Sequence, residues 1–106
     1  MPKKTFSSAE VSTLFQTAQR VVRHPILDLL VSPKDQDQHA RILVVTPRRI
    51  GTAPARNKIR RQLKAIFYEE KLFEQPYDCV VIIKNIEPAT FEILKKLLVD
   101  ALGKYR

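Results

Sequence analysis

The sequence predicts a small α+β sandwich, in which a sheet of three or four strands is packed by helices. Two observations lead to this fold class. Three segments place apolar residues at helical spacing, and three others are short runs rich in aliphatic and β-branched residues. Their order is helix, strand, strand, helix, strand, helix, with room for a further short strand at residues 48–50. Because the chain has 106 residues, we expect one domain that covers 1–106.

The first helix is predicted from about Ser8 to Arg20. Ser7 and Glu10 have the spacing of a capping box, in which a hydroxyl and a carboxylate each accept a hydrogen bond from a free backbone N–H. The apolar residues that follow at helical spacing form one stripe: Val11, Leu14, Phe15 and Ala18.

Three strands are predicted from apolar runs that turn residues separate. The first two, "VVRHPILDLLVS" (21–32) and "RILVVTP" (41–47), flank the turn sequence "SPKDQDQHA" and are expected to form a hairpin. Pro25 lacks a backbone N–H, which favours an edge position for the first of them. The third, "YDCVVIIK" (77–84), has the uninterrupted apolar run of a buried strand.

Two further helices complete the predicted fold. One extends from about Pro54 to Leu72, and its core-facing residues are Ile59, Leu63, Ile66 and Phe67. The other begins near Pro88, which suits a first turn, and ends at the C-terminal cap Gly103. Its apolar face consists of Phe91, Leu94, Leu98 and Leu102.

The net charge of +8 is concentrated in residues 41–64, which carry eight basic side chains and no acidic one. The remainder of the chain is neutral. A bias that served solubility alone would be spread over the surface, so this block indicates an anionic partner. The eight basic residues are Arg41, Arg48, Arg49, Arg56, Lys58, Arg60, Arg61 and Lys64.

Most of this charge lies in the first turns of the helix predicted at 54–72. Like charges repel at helical spacing, and cations near a helix N-terminus oppose the macrodipole, so stability alone does not explain the pattern. Arginines outnumber lysines six to two in the block, and guanidinium groups suit paired phosphate oxygens and base stacking. The pattern therefore favours binding of nucleic acid over a merely solvated helix face.

The sequence contains no evident catalytic or metal-binding group. His24 and His39 are the only histidines, and they lie in different predicted segments. Asp35, Asp37 and His39 alternate in "DQDQH", but no other ligand cluster completes a metal site, so a solvated turn is expected there. Cys79 lies within an apolar run and is expected to be a buried small residue. With two glycines in the chain, no phosphate-binding glycine loop exists.

The composition also predicts where the protein resides. The longest clear apolar run, "CVVII", is far shorter than a membrane span of about 18 residues. The N-terminal lysines are not followed by the apolar segment of a secretory signal. A single cysteine cannot form an intrachain disulfide, so we expect a reducing, cytoplasmic environment.

The segment "GTAPARNKIRRQLKAIF" (51–67) resembles the signature of the protein subunit of bacterial ribonuclease P. In that signature a glycine and a short stretch of small residues precede R-N-R-x-K-R-x-x-R at the start of a helix. Lys58 stands where the family prefers Arg, Arg60 where it prefers Lys, and Lys64 replaces a final Arg. The resemblance extends to "AEVSTLF", "RILVVTPRRIG" and "YDCVVIIK", and thus to nearly the whole chain. The positions that match directly are Arg56, Asn57 and Arg61.

The resemblance implies a protein subunit of an endoribonuclease in which a large RNA removes the 5′ leader of precursor tRNA with bound magnesium ions. The protein itself would contribute no catalytic residue and hold no cofactor, and its fold would contain a left-handed βαβ crossover. Its partners would be the catalytic RNA and precursor tRNA, with no membrane and no obligate protein partner. The residues expected to contact RNA are Arg56, Asn57, Lys58, Arg60, Arg61 and Lys64, supported by Arg48 and Arg49.

The resemblance further implies a cleft between the first helix and the sheet that holds the single-stranded leader. Val11 and Leu29 stand where the family has aromatic residues, and Asp28 adds a negative charge. Because stacking on an aromatic ring contributes about 1–3 kcal/mol per base, we expect weaker leader binding than in the family pattern. The cleft residues expected here are Val11, Phe15, Arg23, His24 and Leu29. The residues expected to compensate in part are Arg20, Arg23 and His24.

Other functions stay open at this point. A ribosome-associated or other RNA-binding module would carry the same basic face without a role in tRNA processing. A metal-independent nuclease would use His24 and His39 for acid–base cleavage. A DNA-binding regulator is disfavoured because no pair of helices joined by a tight turn is predicted.

Overall fold

The computed structural model describes residues 8–33, 39–74, 77–86 and 89–102 of the chain. Within these ranges, helices cover both faces of a four-stranded sheet, which confirms the predicted α+β class. The elements in chain order are α1 (Ser8–Thr17), β1 (Gln19–Arg23), β2 (Leu27–Pro33), β3 (Ile42–Val45), α2 (Ala53–Glu69), β4 (Tyr77–Ile83) and α3 (Phe91–Leu102).

The strands are arranged in the order β1-β2-β4-β3. β2 is antiparallel to both β1 and β4, whereas β3 is parallel to β4 and is connected to it through α2. The predicted hairpin between residues 21–32 and 41–47 is therefore wrong. β4 lies between these two segments, because its apolar run is buried on both faces and needs a hydrogen-bonded neighbour on each side.

The hairpin in this sheet is instead formed by β1 and β2, so the segment 21–32 is not one strand. His24 organises the turn: its backbone N–H donates to the Leu27 carbonyl at 3.0 Å, and its Nδ1 accepts from the Ile26 N–H at 3.1 Å. Because β1 begins at Gln19, α1 ends at Thr17 and not near Arg20. The fourth strand is thus at 19–23, and residues 48–50 form a short 3-10 helix.

Two threonine residues cap the N-termini of α2 and α3. Thr52 precedes α2, and its side chain accepts a hydrogen bond from the Ala55 N–H at 3.3 Å. Thr90 does the same for the Ile93 N–H at 3.2 Å before α3. The predicted cap residues Ser7, Pro88 and Gly103 lie outside the described residues.

The hydrophobic core lies between one face of the sheet and the helices α2 and α3. In register across the strands, Leu29, Val81 and Val44 face these helices. Full burial of one such aliphatic side chain contributes about 1.5–3 kcal/mol, so this layer accounts for much of the stability of the fold. The helical residues that complete the core are Ile59, Leu63, Ile66, Phe67, Leu94, Leu98, Ala101 and Leu102.

The opposite side of the sheet, here called the outer face, packs against α1. Leu14 and Val80 are buried there, apart from the main core cluster. The hydroxyl groups of Thr17 and Ser32 form a hydrogen bond that attaches the end of α1 to β2. Strand alternation and register assign the following residues to this face: Arg20, Arg23, Asp28, Leu30, Ser32, Asp78, Val80 and Ile82.

Candidate nucleic-acid interface

Helix α2 presents an apolar stripe to the core and a cationic side to solvent. Pro54 in its first turn has no N–H to leave unpaired, and Thr52 caps one of the remaining amides. The first turn contains no acidic residue. The helix is therefore held by its buried stripe and its cap, while the N-terminal end of its polar side is left to cations.

The basic side chains of α2 differ in their surroundings. Arg56 is half-buried, and its Nη1 donates to the Thr46 carbonyl at 3.5 Å, which connects the start of the helix to the end of β3. Arg60 is half-buried as well and donates to the Asn57 side-chain oxygen. The neutral Asn57 is exposed, as are three basic residues: Lys58, Arg61 and Lys64.

Arg48 and Arg49 extend this cationic region beyond the helix. Both are exposed on the 3-10 turn that directly precedes α2. Across residues 8–33, 39–74, 77–86 and 89–102, none of the basic side chains of this region forms an ion pair with a carboxylate. We call this region the basic surface, which consists of Arg48, Arg49, Arg56, Asn57, Lys58, Arg60, Arg61 and Lys64.

Arg41, the remaining cation of the acid-free block, does not belong to the basic surface. It is buried, with 8% of its surface exposed, and it forms ion pairs with Glu10 of α1 at 2.8 Å and Asp78 of β4 at 3.4 Å. Burial acts to lower the pKa of Arg41, but the hydrogen bonds and charges of these two carboxylates outweigh it and raise the pKa. Its charge is therefore balanced inside the protein.

A groove of about 360 Å³ separates α1 from the end of the outer face near Ser32. Its walls combine apolar surface with hydroxyl and charged side chains. Two predicted cleft residues of α1, Phe15 and Val11, are not among the residues that line this groove. Phe15 is 44% exposed, and Val11 lies one turn earlier on the same side of the helix. The residues that line the groove are Ala9, Glu10, Thr13, Leu14, Thr17, Ser32, Pro33, Arg41 and Asp78.

The three other residues predicted for the cleft lie in different parts of the structure. Leu29 is wrong as a cleft residue: it is 0% exposed and lies in the core, because strand alternation turns it away from the outer face. Leu30, half-buried, is the apolar residue that β2 contributes to that face. Arg23 is exposed on the outer face opposite Asp28, and His24 lies half-buried in the adjoining turn.

A charged cluster on the outer face was not evident from the sequence. Asp28 lies 2.8 Å from Lys84 Nζ and 3.4 Å from Arg20 Nε. Burial acts to raise the pKa of Asp28, but the hydrogen bond and charge of Lys84, with the charges of Arg20 and Arg23, lower it overall. Lys84 is remote from Asp28 in the chain. The two side chains can be placed on the same face of the sheet only when the pairing of β2 with β4 is known.

The two histidines lie at opposite ends of the sheet. His24 is in the β1–β2 turn next to Leu27, whereas His39 precedes β3 and packs edge-to-face on Phe73 with ring centroids 5.3 Å apart. They cannot act on the same phosphate, so the nuclease alternative is not supported.

The remaining candidate groups are the cysteine and the possible metal ligands. Cys79 is fully buried, which raises the pKa of its thiol. Among the described residues, no group of His, Cys, Asp or Glu side chains could hold a metal ion. Asp35 and Asp37 lie outside those residues. No helix in the described part of the chain has the length and apolarity needed to cross a membrane.

Comparison with known proteins identifies the family of the chain and agrees with its fold. The sequence model of the family described as "Ribonuclease P" matches residues 3–106. The chain is 28% identical over 104 residues to the ribonuclease P protein component of Streptococcus agalactiae serotype III (strain NEM316), with 94% of each chain covered. The same component from serotype Ia of that species shows the same identity and coverage.

Solved structures share the fold at lower sequence identity. The RNase P protein from Thermotoga maritima superposes with a TM-score of 0.80 at 19% identity, and the match covers 99% of each chain. The Staphylococcus aureus RNase P protein gives a TM-score of 0.78 at 19% identity, over 94% of this chain and 92% of that one.

Proposed function

The chain belongs to the ribonuclease P protein family, and we propose that it binds the catalytic RNA of that enzyme through the basic surface and the precursor-tRNA leader through the outer face. Family membership makes it the protein subunit of an endoribonuclease ribonucleoprotein that processes tRNA, and RNA is its partner. In the proposal the RNA performs the cleavage, and the protein positions RNA segments and offsets their charge.

The observation that carries the proposal is the absence of internal counter-ions on the basic surface. Its cations repel one another at helical spacing, and no carboxylate of the described residues pairs with them. Phosphates supply the missing negative charge, and binding them releases counterions from the RNA, which favours association. The geometry supports RNA subunit binding along α2 and the turn at Arg48–Ile50.

The proposal for the leader is supported by the side of the sheet that α2 and α3 leave uncovered. Phe15 is exposed and offers a ring on which one base can stack. The groove beside α1 offers hydroxyl and charged groups, together with apolar surface, to a single strand. Since Val11 and Leu30 supply no further ring, we propose that leader binding is weaker than RNA subunit binding.

The proposal also covers the magnesium ions and the cellular compartment of the complex. The magnesium ions belong to the RNA–protein complex, and the basic surface lowers the concentration at which the RNA folds and cleaves by offsetting phosphate repulsion. No further protein is required. We place the complex in the cytoplasm, which the free, buried thiol of Cys79 supports.

The experiment that tests the proposal measures cleavage of precursor tRNA by a bacterial ribonuclease P RNA at low magnesium, with and without the protein. We expect stimulation, and we expect Arg60→Ala/Arg61→Ala to abolish most of it. The matched control is Lys95→Ala/Lys96→Ala, which removes two adjacent cations from the exposed side of α3. This control should stimulate like the wild type.

A salt series of the binding affinity identifies the nature of the contact. If about six cations of the basic surface meet phosphates, the log–log slope of affinity against salt should be about −4 to −5. Tight, salt-sensitive binding without stimulation of cleavage would contradict the proposal and favour an RNA-binding module with another task. Equal losses in the α2 and α3 variants would contradict the assignment to α2.

A further inference from the structure

The outer face carries three cations grouped around one carboxylate. Oδ1 of Asp28 in β2 lies 2.8 Å from Lys84 Nζ, and its Oδ2 lies 3.4 Å from Arg20 Nε, so both contacts are ion pairs. Arg23 is its direct neighbour across the β1–β2 pair. We call these four residues the Asp28 cluster. Its net charge is +2, so it attracts anions, but its carboxylate is already ion-paired with two of the three cations.

The cluster is layered, with the carboxylate beneath the cations. The Asp28 side chain is 11% exposed, whereas those of Arg20 and Lys84 are 42% and 37% exposed. An arriving phosphate therefore meets the cations first, at the end of the outer face remote from Ser32. It cannot use their full hydrogen-bonding capacity while Asp28 holds Arg20 Nε and Lys84 Nζ.

The surroundings of the Asp28 cluster indicate which kind of anion it suits. Leu30 and Val80 lie on the same face of the sheet as the cluster, and α1 with the exposed Phe15 packs over its other end. A chain of phosphates with bases to stack fits a surface that combines cations and apolar side chains. A single-stranded RNA segment is therefore the ligand that the surface suits.

We infer that Asp28 is an affinity-limiting residue of the outer face, because its carboxylate competes with leader phosphates for Arg20 and Lys84. The inference rests on the proposed binding of the leader to this face. Asp28 then sets how strongly the complex prefers a precursor over a tRNA without leader, since its effect applies only to the leader-bearing substrate.

The test uses the protein reconstituted with a ribonuclease P RNA and compares a precursor tRNA that carries a long leader with a tRNA that has none. Asp28→Asn preserves the shape of the side chain and removes its charge. We expect it to tighten binding of the leader-bearing substrate by about three- to tenfold. The log–log salt slope should steepen by about 0.7, the value for one further phosphate contact on a single strand. Binding of the leaderless tRNA should not change.

The matched control is Glu70→Gln, which also removes one ion-paired carboxylate. Glu70 lies 3.6 Å from Lys95 and caps the end of α2, on the other side of the sheet. It should leave the leader dependence unchanged. In addition, Arg20→Gln/Lys84→Gln should weaken leader binding and remove most of the gain from Asp28→Asn, because the released donors are then absent.

Four outcomes would overturn the inference. If Asp28→Asn tightens binding of both substrates equally, the gain comes from the change in net charge, and Asp28 has no local role at the leader. Weaker leader binding in Asp28→Asn shows that the carboxylate organises the cations and does not compete. If the wild type depends on the leader and Asp28→Asn does not change that dependence, the inference alone is overturned. If no variant depends on the leader, the proposed leader surface is overturned as well. Circular dichroism and urea unfolding of Asp28→Asn establish that the variant is folded.

Discussion

The backbone N–H of Arg41 donates a 2.7 Å hydrogen bond to Oδ1 of Asp78, and its guanidinium Nη2 lies 3.4 Å from Oδ2 of the same carboxylate. Both residues are buried. The other end of the guanidinium reaches Glu10 at 2.8 Å, so one side chain connects β3, β4 and α1. This network sets the position of α1 over the outer face and forms part of the groove beneath it.

Replacement of Arg41 by Met should destabilise the protein strongly. The substitution leaves Asp78 buried with the backbone N–H but without the cation that balances its charge, and such losses cost about 3–5 kcal/mol. Urea unfolding followed by circular dichroism at neutral pH measures the change. Glu10→Gln is the control, since Glu10 is 42% exposed and its pair with Arg41 should contribute at most about 1 kcal/mol. Similar losses in both variants would contradict this division.

The sequence predicts most of the elements, but not the β1–β2 hairpin or the order of the strands in the sheet. Periodicity located α2 and β4 because each has one strong pattern: a stripe at Ile59, Leu63, Ile66 and Phe67, and an uninterrupted apolar run. The β1–β2 turn was missed because it contains no glycine and depends on the His24 side chain accepting from the Ile26 N–H. The position of β4 between β2 and β3 depends on contacts remote in sequence, which local patterns do not encode.

The basic surface could be predicted from the sequence, whereas the outer face could not. The basic surface lies on one helix and the turn before it, so residue spacing alone grouped its members. The outer face combines residues of all four strands, and a difference of one residue in β2 decides that Leu30, and not Leu29, lies on it. Arg41 was counted with the basic block because its partners, Glu10 and Asp78, come from distant elements.

Asp28 should make the stability of the protein depend on pH in the acid range. Its folded pKa lies below the ordinary value of 3.8, so its contribution to stability is fully present above that value and is lost as the pH falls through the folded pKa. The difference in unfolding free energy between wild type and Asp28→Asn should be constant above about pH 5 and should shrink towards pH 3. Urea unfolding across this range measures it. A difference that stays constant to the lowest pH would contradict the lowered pKa.

Lys58→Arg/Lys64→Arg should tighten binding to the ribonuclease P RNA without changing its salt dependence. Both lysines are exposed on α2, and a guanidinium can form two parallel hydrogen bonds with a phosphate where an ammonium cannot. The number of charges is the same, so the log–log salt slope should not change. Affinities measured over a salt series test both parts. Lys95→Arg/Lys96→Arg on α3 is the control, and an equal gain from it would contradict a specific contact at α2.

Val11→Phe should strengthen binding of the precursor leader. Val11 is half-buried one turn before the exposed Phe15, so an aromatic ring there would extend the stacking surface of α1. One further stacked base contributes about 1–3 kcal/mol, which corresponds to an affinity gain of about 5- to 150-fold. Dissociation constants of the reconstituted complex for substrates with and without a leader measure the gain. Gln16→Phe places the same ring at an exposed position on another side of α1 and should have no effect. If both variants tighten both substrates equally, the added ring acts as a general apolar contact, and α1 does not form the stacking wall of the leader site.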